Sequence, residues 1–459
     1  MKVVTIDENI CTGCQECTKV CPVYAIEGNP HEAQHIVEDR CVMCGQCVQK
    51  CKSYVSIADH GVSAYEKTRE ERHLPLSVTE PLFAAHNVTH IQEVIKSLND
   101  SSKFNVIQAA PAVRVAVAED FGMPLGSLTP GKMAAAFRHL GFKKVYDVNF
   151  TADLTIMEEG TELVQRVTGG GVLPMFTSCC PAWVKYMENN HPDLTKHLSS
   201  CKSPQQMAGA VLKTYGAKIN KVDAKSIYSV SVMPCTCKEF EANRPEMNGS
   251  GERDIDVVLT TRELSYLLKY KGIDFNKLKD EEFDNPLGDY TGAGTIFGVT
   301  GGVMEAALRT GYTLITKKEL GDVDITPVRG IEGFRTANIP VGDLTLKVGI
   351  VTGLKNAEPV IEQLRAGTLD LHFIEVMTCP EGCVSGGGQP KLVSDTSVVE
   401  AYKKRRQATF DHDKALPKRK SHENEGIKKL YSDYFKEPCG EKSHHLLHTT
   451  YAGGSGAHH

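Results

Sequence analysis

No uninterrupted apolar run in the chain reaches the ~18 residues that a membrane-crossing helix needs, which excludes a helical membrane span. An excess of positive charge is also missing. The 52 Lys and Arg face 57 Asp and Glu, a formal net charge of -5, so no basic footprint for nucleic acid is present. The opening residues, MKVVTIDENICTGC, hold neither an apolar h-region nor a twin-arginine pair. A cytoplasmic location is therefore the expectation. Tryptophan is nearly absent, with Trp183 alone. Cysteine is missing from residues 52–178.

Elsewhere cysteine is abundant, with 16 in 459 residues. That length allows about three domains of roughly 150 residues, with enough core that disulfide staples are unnecessary. Small secreted disulfide scaffolds are short, so metal or redox chemistry is the leading account of the thiols. Eight cysteines lie between Cys11 and Cys51, and the rest are Cys179, Cys180, Cys201, Cys235, Cys237, Cys379, Cys383 and Cys439. This partition suggests a ligand-dense module over residues 1–60 and a polar linking region with some helix over 61–103. Residues 401–451 read as a tail wrapping the domain before it. Its basic run, YKKRRQ and PKRK, reads as a solvated face. The Gly/Ser-rich end, 452–459, looks like a linker and tag remnant.

From residue 104 to about 400, β-branched runs alternate with helical periodicity. FNVIQAA, KVYDVNF, SIYSVSVM, DIDVVLT, LKVGIVTG and LDLHFIEVM read as strands. PAVRVAVAEDFG, KMAAAFRHLG, TADLTIMEEGTELVQRV, TRELSYLLKYKG, GGVMEAALRTG and LKNAEPVIEQLRAG read as helices. The alternation predicts an α/β domain of mainly parallel sheet flanked by helices.

The front module holds Cys11-x-x-Cys14-x-x-Cys17-x-x-x-Cys21-Pro22, repeated as Cys41-x-x-Cys44-x-x-Cys47-x-x-x-Cys51-Lys52. A cubane 4Fe–4S cluster needs four thiolates at tetrahedral corners. In this spacing the fourth cysteine of each run ligates the other cluster. Cys11, Cys14, Cys17 and Cys51 would hold one cluster, and Cys41, Cys44, Cys47 and Cys21 the second. Zinc sites use paired C-x-x-C motifs rather than runs of four. Disulfides disagree with the missing export signal. The module resembles bacterial ferredoxins, which implies a small α+β domain and electron transfer.

Three later segments, TSCCPAW, MPCTCKEFE and EVMTCPEGCVSGGGQP, each follow a predicted strand, where α/β folds collect active-site loops. Cys180, Cys235, Cys379 and Cys383 could supply a third cubane from scattered positions. The segments resemble the three signature motifs of FeFe hydrogenases. TIMEEGTELVQR, SSCKSPQQM and GAGTIFGVTGGVMEAALR extend the likeness over about residues 105–400. The resemblance implies a catalytic domain of two lobes and an H-cluster, which is a 4Fe–4S cubane joined through Cys383 to a two-iron unit carrying CO, cyanide and a dithiolate bridge. Cys180, Cys235 and Cys379 would complete the cubane's ligands. Cys179 would be a free thiol relaying protons, and Lys238 would face a cyanide. Soft thiolates suit iron, and adjacent cysteines cannot share one cubane corner, so different roles for Cys179 and Cys180 are chemically sensible.

Ala110, Pro111, Ser203, Gln205, Met233, Phe297 and Met377 match cofactor-pocket positions, although Met233, Phe297 and Met377 read equally well as plain core. At Ala112 some relatives carry a serine, so a side-chain contact is lost there. Glu159, Glu162 and Arg166 share one helix edge at i, i+3 and i+7. Without the resemblance that edge reads as solvated. With it, Cys179, Glu159, Ser199, Glu162 and Arg166 form a proton relay. Cys201 is expected to be a buried thiol, Cys439 free in a polar tail, and Cys237 a packing residue.

The implied activity is reversible proton reduction to dihydrogen. The implied partners are a ferredoxin or flavodoxin carrier and the maturation proteins that install the two-iron unit. An iron–sulfur assembly or sensor relative would be expected to lose Cys179 or the third motif. A pure electron carrier would not need the glutamates.

Overall fold

The computed structural model describes residues 1–392 and 395–451. The Gly/Ser-rich end lies outside them.

In the front module the two cysteine runs fold alike. Gly13 and Met43 take positive φ at 69° and 57°, as do Gln15 and Gly45 at 57° and 71°. These left-handed residues curl each loop inward before a short helix, Glu16–Val20 or Gln46–Lys50. Strand β1 (Val4–Ile6), β2 (Ile26–Glu27), β3 (His35–Ile36) and β4 (Tyr54–Val55) frame the loops. The segment read as a linking region supplies two further strands, β5 (Leu82–Phe83) and β6 (Ala85–Asn87). They pair antiparallel with β4 and β1. Residues 61–103 thus add strands to the module as well as the helices Val62–Glu71 and Ile91–Leu98. These pairings span long sequence separations, which local pattern does not reveal.

The catalytic part is built on two four-stranded sheets. The first joins β7 (Phe104–Ala109), β8 (Lys144–Asp147), β10 (Ile227–Met233) and β11 (Val257–Thr260) in the order β11-β10-β7-β8, all parallel. The second joins β9 (Met175–Phe176), β12 (Phe334–Val341), β13 (Leu344–Thr352) and β14 (Phe373–Met377) in the order β12-β13-β14-β9. Only β12 runs antiparallel there. The fold is α/β, two lobes of mainly parallel sheet flanked by helices, with a ferredoxin-like α+β module at the front. β9 is too short to show a period, and β12 carries Pro340, which an edge strand tolerates.

Three expectations change. PAVRVAVAEDFG is not one helix but two 3₁₀ turns, Pro111–Val113 and Val117–Phe121. The break falls at Arg114, whose carbonyl accepts from Thr129 N at 2.9 Å and whose buried guanidinium pairs with Asp147 at 2.7 Å. The strand KVYDVNF stops at Asp147, because the Asp147 carboxylate caps the helix Val148–Gly169 by accepting from Asn149 N. The basic run is not simply solvated. YKKRRQ lies in the helix Asp395–Ala415, where Arg405 is 1% exposed and pairs with Glu119 at 2.5 Å and Arg406 pairs with Glu381, and in PKRK, past that helix, Arg419 pairs with Asp413 at 2.6 Å. Further along the tail, Ile427, Leu430 and Leu447 pack with Phe150 and Leu154.

The module seats on the catalytic part through the helix Gln46–Lys50. Gln49 Nε2 donates to the carbonyls of Gly386 and Gln389 at 3.2 and 2.9 Å, and Thr236 Oγ1 donates to Met43 O at 2.6 Å. A Cβ on Gly387 would stand 2.5 Å from Cys44 O and 2.6 Å from Gly45 Cα. Gly387→Ala is expected to force the two backbones apart and to cost about 1–3 kcal/mol of unfolding free energy, the usual range for an overpacked contact. Denaturant unfolding would check this, with limited proteolysis over 61–103 speeding up. Parent-like stability would show that the seat is loose.

Candidate functional site

The carboxyl ends of four strands from both sheets converge on one cavity. β7 delivers Ala110 and Pro111, and β9 delivers Cys179 and Cys180. β10 delivers Met233 and Cys235, and β14 delivers Met377 and Cys379. Gln205, Lys238, Phe297 and Cys383 complete the wall. Ser203 does not line it. Its hydroxyl donates instead to the Glu241 carboxylate at 2.8 Å, one residue from the wall.

Cys180, Ser203 and Thr236 are the N-caps of the helices Pro181–Asn190, Pro204–Val211 and Cys237–Ala242. Three helix N-termini, with their partial positive charge, therefore gather beside five thiols. Burial pushes the Cys235 and Cys383 thiols up to about 12, and neighbouring sulfurs add to it. Cys379 is driven well above the ordinary range for the same reasons, with Cys180, Cys235 and Cys383 all acting on it. Such thiols stay protonated unless a soft cation takes their place, so the donor set fits an iron–sulfur group.

The front module gathers its eight thiols in the crossed sets. Cys21, Cys41, Cys44 and Cys47 line one cavity. Burial pushes Cys17 up to about 12, followed by the nearby sulfurs of Cys51, Cys11 and Cys14. A hydrogen bond joins the module directly to one of the site's thiols: Gln46 Nε2 donates to Cys379 Sγ at 3.3 Å.

Lys238 donates to Cys179 O at 3.0 Å and to both Glu241 oxygens at 3.0 and 2.9 Å. Burial works against its charge, but Glu241 outweighs that and keeps the ammonium protonated. Behind Cys179 the helix Val148–Gly169 presents Glu159 and Glu162 inward, so this charged edge is not a solvated one. Ser199 Oγ donates to Glu162 Oε2 at 2.8 Å, and Arg166 pairs with Glu162 at 2.6 Å near the surface. Glu159 is 1% exposed, and its Oε2 has no hydrogen-bond partner among the described residues. Burial first, then the Glu162 charge, push Glu159 up to about 8. Burial and then Glu159 raise Cys179 well above the ordinary thiol range.

Cys201 is buried beside Glu162, and Cys237 packs with Cys44 and Trp183. Cys439 is a free thiol, as expected, but it is half-buried and tied down: its N–H donates to Glu158 Oε2 at 2.7 Å and its thiol to Glu158 O at 3.4 Å. His448 from the tail reaches Glu158 at 3.0 Å and Ser200 at 2.8 Å. Sequence reasoning missed Gln46, Glu241 and His448. Only the Lys238–Glu241 i, i+3 spacing in KEFE was visible as a signal.

Comparison with known proteins gives consistent matches. The family description "Iron only hydrogenase large subunit, C-terminal domain" matches residues 103–387, "Iron hydrogenase small subunit" matches 399–453, and "4Fe-4S dicluster domain" matches 3–52. Iron hydrogenase 1 of Clostridium pasteurianum is 41% identical over 429 residues, covering 90% of this chain and 74% of that protein. The periplasmic [Fe] hydrogenase large subunit of Nitratidesulfovibrio vulgaris is 46% identical over 394 residues, covering 85% and 86%. A solved [FeFe]-hydrogenase, HydA1 from Chlamydomonas reinhardtii, superposes with a TM-score of 0.71 at 41% identity, over 80% of this chain and 100% of that one.

The raised Glu159 sets a pH dependence. Its carboxyl keeps the proton to about pH 8 folded but only to about 4.5 unfolded. Its contribution to stability is whole below the unfolded value and is lost as pH rises through the folded one. Relative to Glu159→Gln, the parent is expected to lose on the order of 4 kcal/mol of unfolding free energy from about pH 5 to about pH 9. Paired denaturant titrations across that range would measure it. A pH-independent gap would refute the shift.

Proposed function

Since the chain belongs to the iron-only (FeFe) hydrogenase family, we propose that it interconverts protons and dihydrogen, passing electrons through two clusters of its front module and protons through Cys179. It is an oxidoreductase acting on hydrogen, and its cofactors are 4Fe–4S clusters and an H-cluster. The observation that carries the proposal is the convergence of Cys179, Cys180, Cys235, Cys379 and Cys383 on one cavity, with a buried carboxyl behind the first of them.

In this reading Cys180, Cys235, Cys379 and Cys383 hold the H-cluster's cubane, and Cys383 also reaches its two-iron unit. When bound, the H-cluster supplies the metal centre at which protons and electrons combine to dihydrogen or are released from it. The remaining work belongs to the chain. Met233, Phe297 and Met377 keep that end of the cavity apolar and short of water. Lys238, held by Glu241 and Cys179 O, presents a fixed positive charge to an anionic ligand.

Cys179 Sγ holds the proton nearest the centre, and Glu159 exchanges it. An acid near pH 8 suits that exchange, because a relay works best when its pKa lies close to the ambient pH. Ser199 Oγ, Glu162 and the largely buried Arg166 continue the path outward. On the electron side, Cys11, Cys14, Cys17 and Cys51 hold the outer cluster, and Cys21, Cys41, Cys44 and Cys47 the inner one.

The carrier is read as a ferredoxin or flavodoxin, and maturation proteins as the source of the two-iron unit. No helix of the described residues is long and apolar enough to cross a membrane. All sixteen cysteines are free of disulfides, which supports a reducing, cytoplasmic setting even though one relative is named as periplasmic.

The adjacent cysteines provide the test. Cys179→Ala is expected to keep its iron and its CO and cyanide infrared bands, yet to lose hydrogen turnover by roughly 10²–10⁴-fold, the scale of a missing acid–base group. Cys180→Ala is expected to lose iron. Iron loss in the first variant, or near-normal turnover, would overturn the division of roles.

A further inference from the structure

Between the front module and the first sheet lies a second cavity, of about 190 Å³, that no step above uses. The module lines it with Arg72, Phe83 and His86, and the catalytic part with Asp120, Arg262, Tyr266 and Lys391.

Among the described residues, few of the hydrogen bonds made by its cations go to carboxylates. Arg262 donates only to neutral acceptors, Gln389 O at 2.6 Å and Asn87 Oδ1 at 3.1 Å. Lys391 donates to Gln49 O at 2.7 Å and sits over the Phe83 ring at 4.3 Å. Arg72 alone has a carboxylate, Asp7 at 3.2 Å, and its Nε has no partner. Two of the acids facing the cavity are engaged elsewhere: Glu263 accepts from Thr260 in a helix cap, and Glu80 pairs with Lys269. The third, Asp120, has a buried Oδ2 without a partner, as does Nδ1 of His86. Buried polar atoms seldom go unpaired in a native fold, and three of them line this one cavity.

The titration tendencies agree with this picture. Burial holds Arg72 and Arg262 below their usual range and brings Lys391 down to about 8. Burial, with Arg72 and Arg262 beside it, brings His86 down to about 3. Burial is the leading cause for each of them, while Asp7 supports the charge of Arg72, and Glu263 and Asp120 that of Arg262.

We propose that this cavity binds a small organic oxyanion, its carboxylate or phosphate head among Arg72, His86, Arg262 and Lys391 and its apolar body against Leu74, Phe83 and Tyr266. A polar group at the far end would donate to Asp120. The ligand would bridge Arg72 of the module to Arg262 and Lys391 of the catalytic part, and so regulate how firmly the two are clamped. Arg72 and Lys391 also lie within electrostatic reach of Cys51. If Cys51 holds the outer cluster as read above, the bound anion would make that cluster harder to reduce.

The test is calorimetric titration of the full-length, cluster-loaded protein with phenyl phosphate, benzoate and inorganic phosphate. One saturable site is expected for phenyl phosphate or benzoate. The tighter of the two identifies the head group, and inorganic phosphate should bind more weakly because it buries no body. His86→Leu and Arg262→Gln should each weaken binding roughly tenfold or more, as expected when a buried hydrogen-bond partner is removed. Should Arg262→Gln fail to fold, His86→Leu, which removes only a neutral ring, still decides. Hydrogen turnover without added ligand should be unchanged in His86→Leu, which separates this test from that of the active-site reading. Absence of saturable binding by all three probes, or binding indifferent to His86→Leu, would overturn the site. Reductive titration of the outer cluster, followed by its paramagnetic signal with and without the tighter probe, should show a shift to lower potential. Saturable binding without a shift would overturn the link to the cluster.

Discussion

Desolvated sulfur is the constraint on which the rest depends. Twelve thiols are gathered in three sets, all but the exposed Cys14 at least half-buried, and burial penalises the thiolate in most of them. A fold with that many would-be anions inside needs something to balance them, and the chain provides it geometrically. Two mainly parallel sheets aim the carboxyl ends of four strands at one point, three helices turn their N-termini toward it, and Lys238 stands charged beside it. Parallel sheet suits the task, because every strand ends on the same side and each can deliver one loop.

The same dryness shapes the acid side. In water Glu159 would be ionised at neutral pH. Between the helix Val148–Gly169 and its neighbours it keeps its proton, while Glu162, three residues on, is held by Arg166, Ser199 and Ser200 N. One helix edge thus carries two carboxyls in different surroundings, one with an unpartnered oxygen and one held by an arginine and two serines. The tail contributes to this environment, since Tyr431, Cys439 and His448 all close on Glu158.

What could be read from the sequence was whatever is written locally. The doubled cysteine run announced a module for two clusters, and the three later motifs announced the cavity wall. Strands β7, β10, β11, β13 and β14 were visible as β-branched runs. What escaped depends on partners far along the chain. Gln46 looks like an ordinary residue between two ligand cysteines, and only its meeting with Cys379, 333 positions on, gives it meaning. Arg405 read as one more surface cation until Glu119, 286 positions earlier, was found against it. Ser203 illustrates the opposite error, because a motif match placed on the wall a side chain whose hydroxyl turns to Glu241.

The close seating of the Gln46–Lys50 helix on Gly386 and Gly387 has a kinetic consequence. Backbones packed so tightly that a methyl group would not fit leave no room for the module to swing. On the electron path proposed above, transfer inward from it would need no encounter, so that stage would be first order and indifferent to viscosity and salt. Collision, orientation and ionic screening act only on the module's outer face, where a carrier arrives from solution. On the proposed electron path a diffusive stage would be separated from a solid-state one, with the thiols of Cys11, Cys14, Cys17 and Cys51 at the boundary.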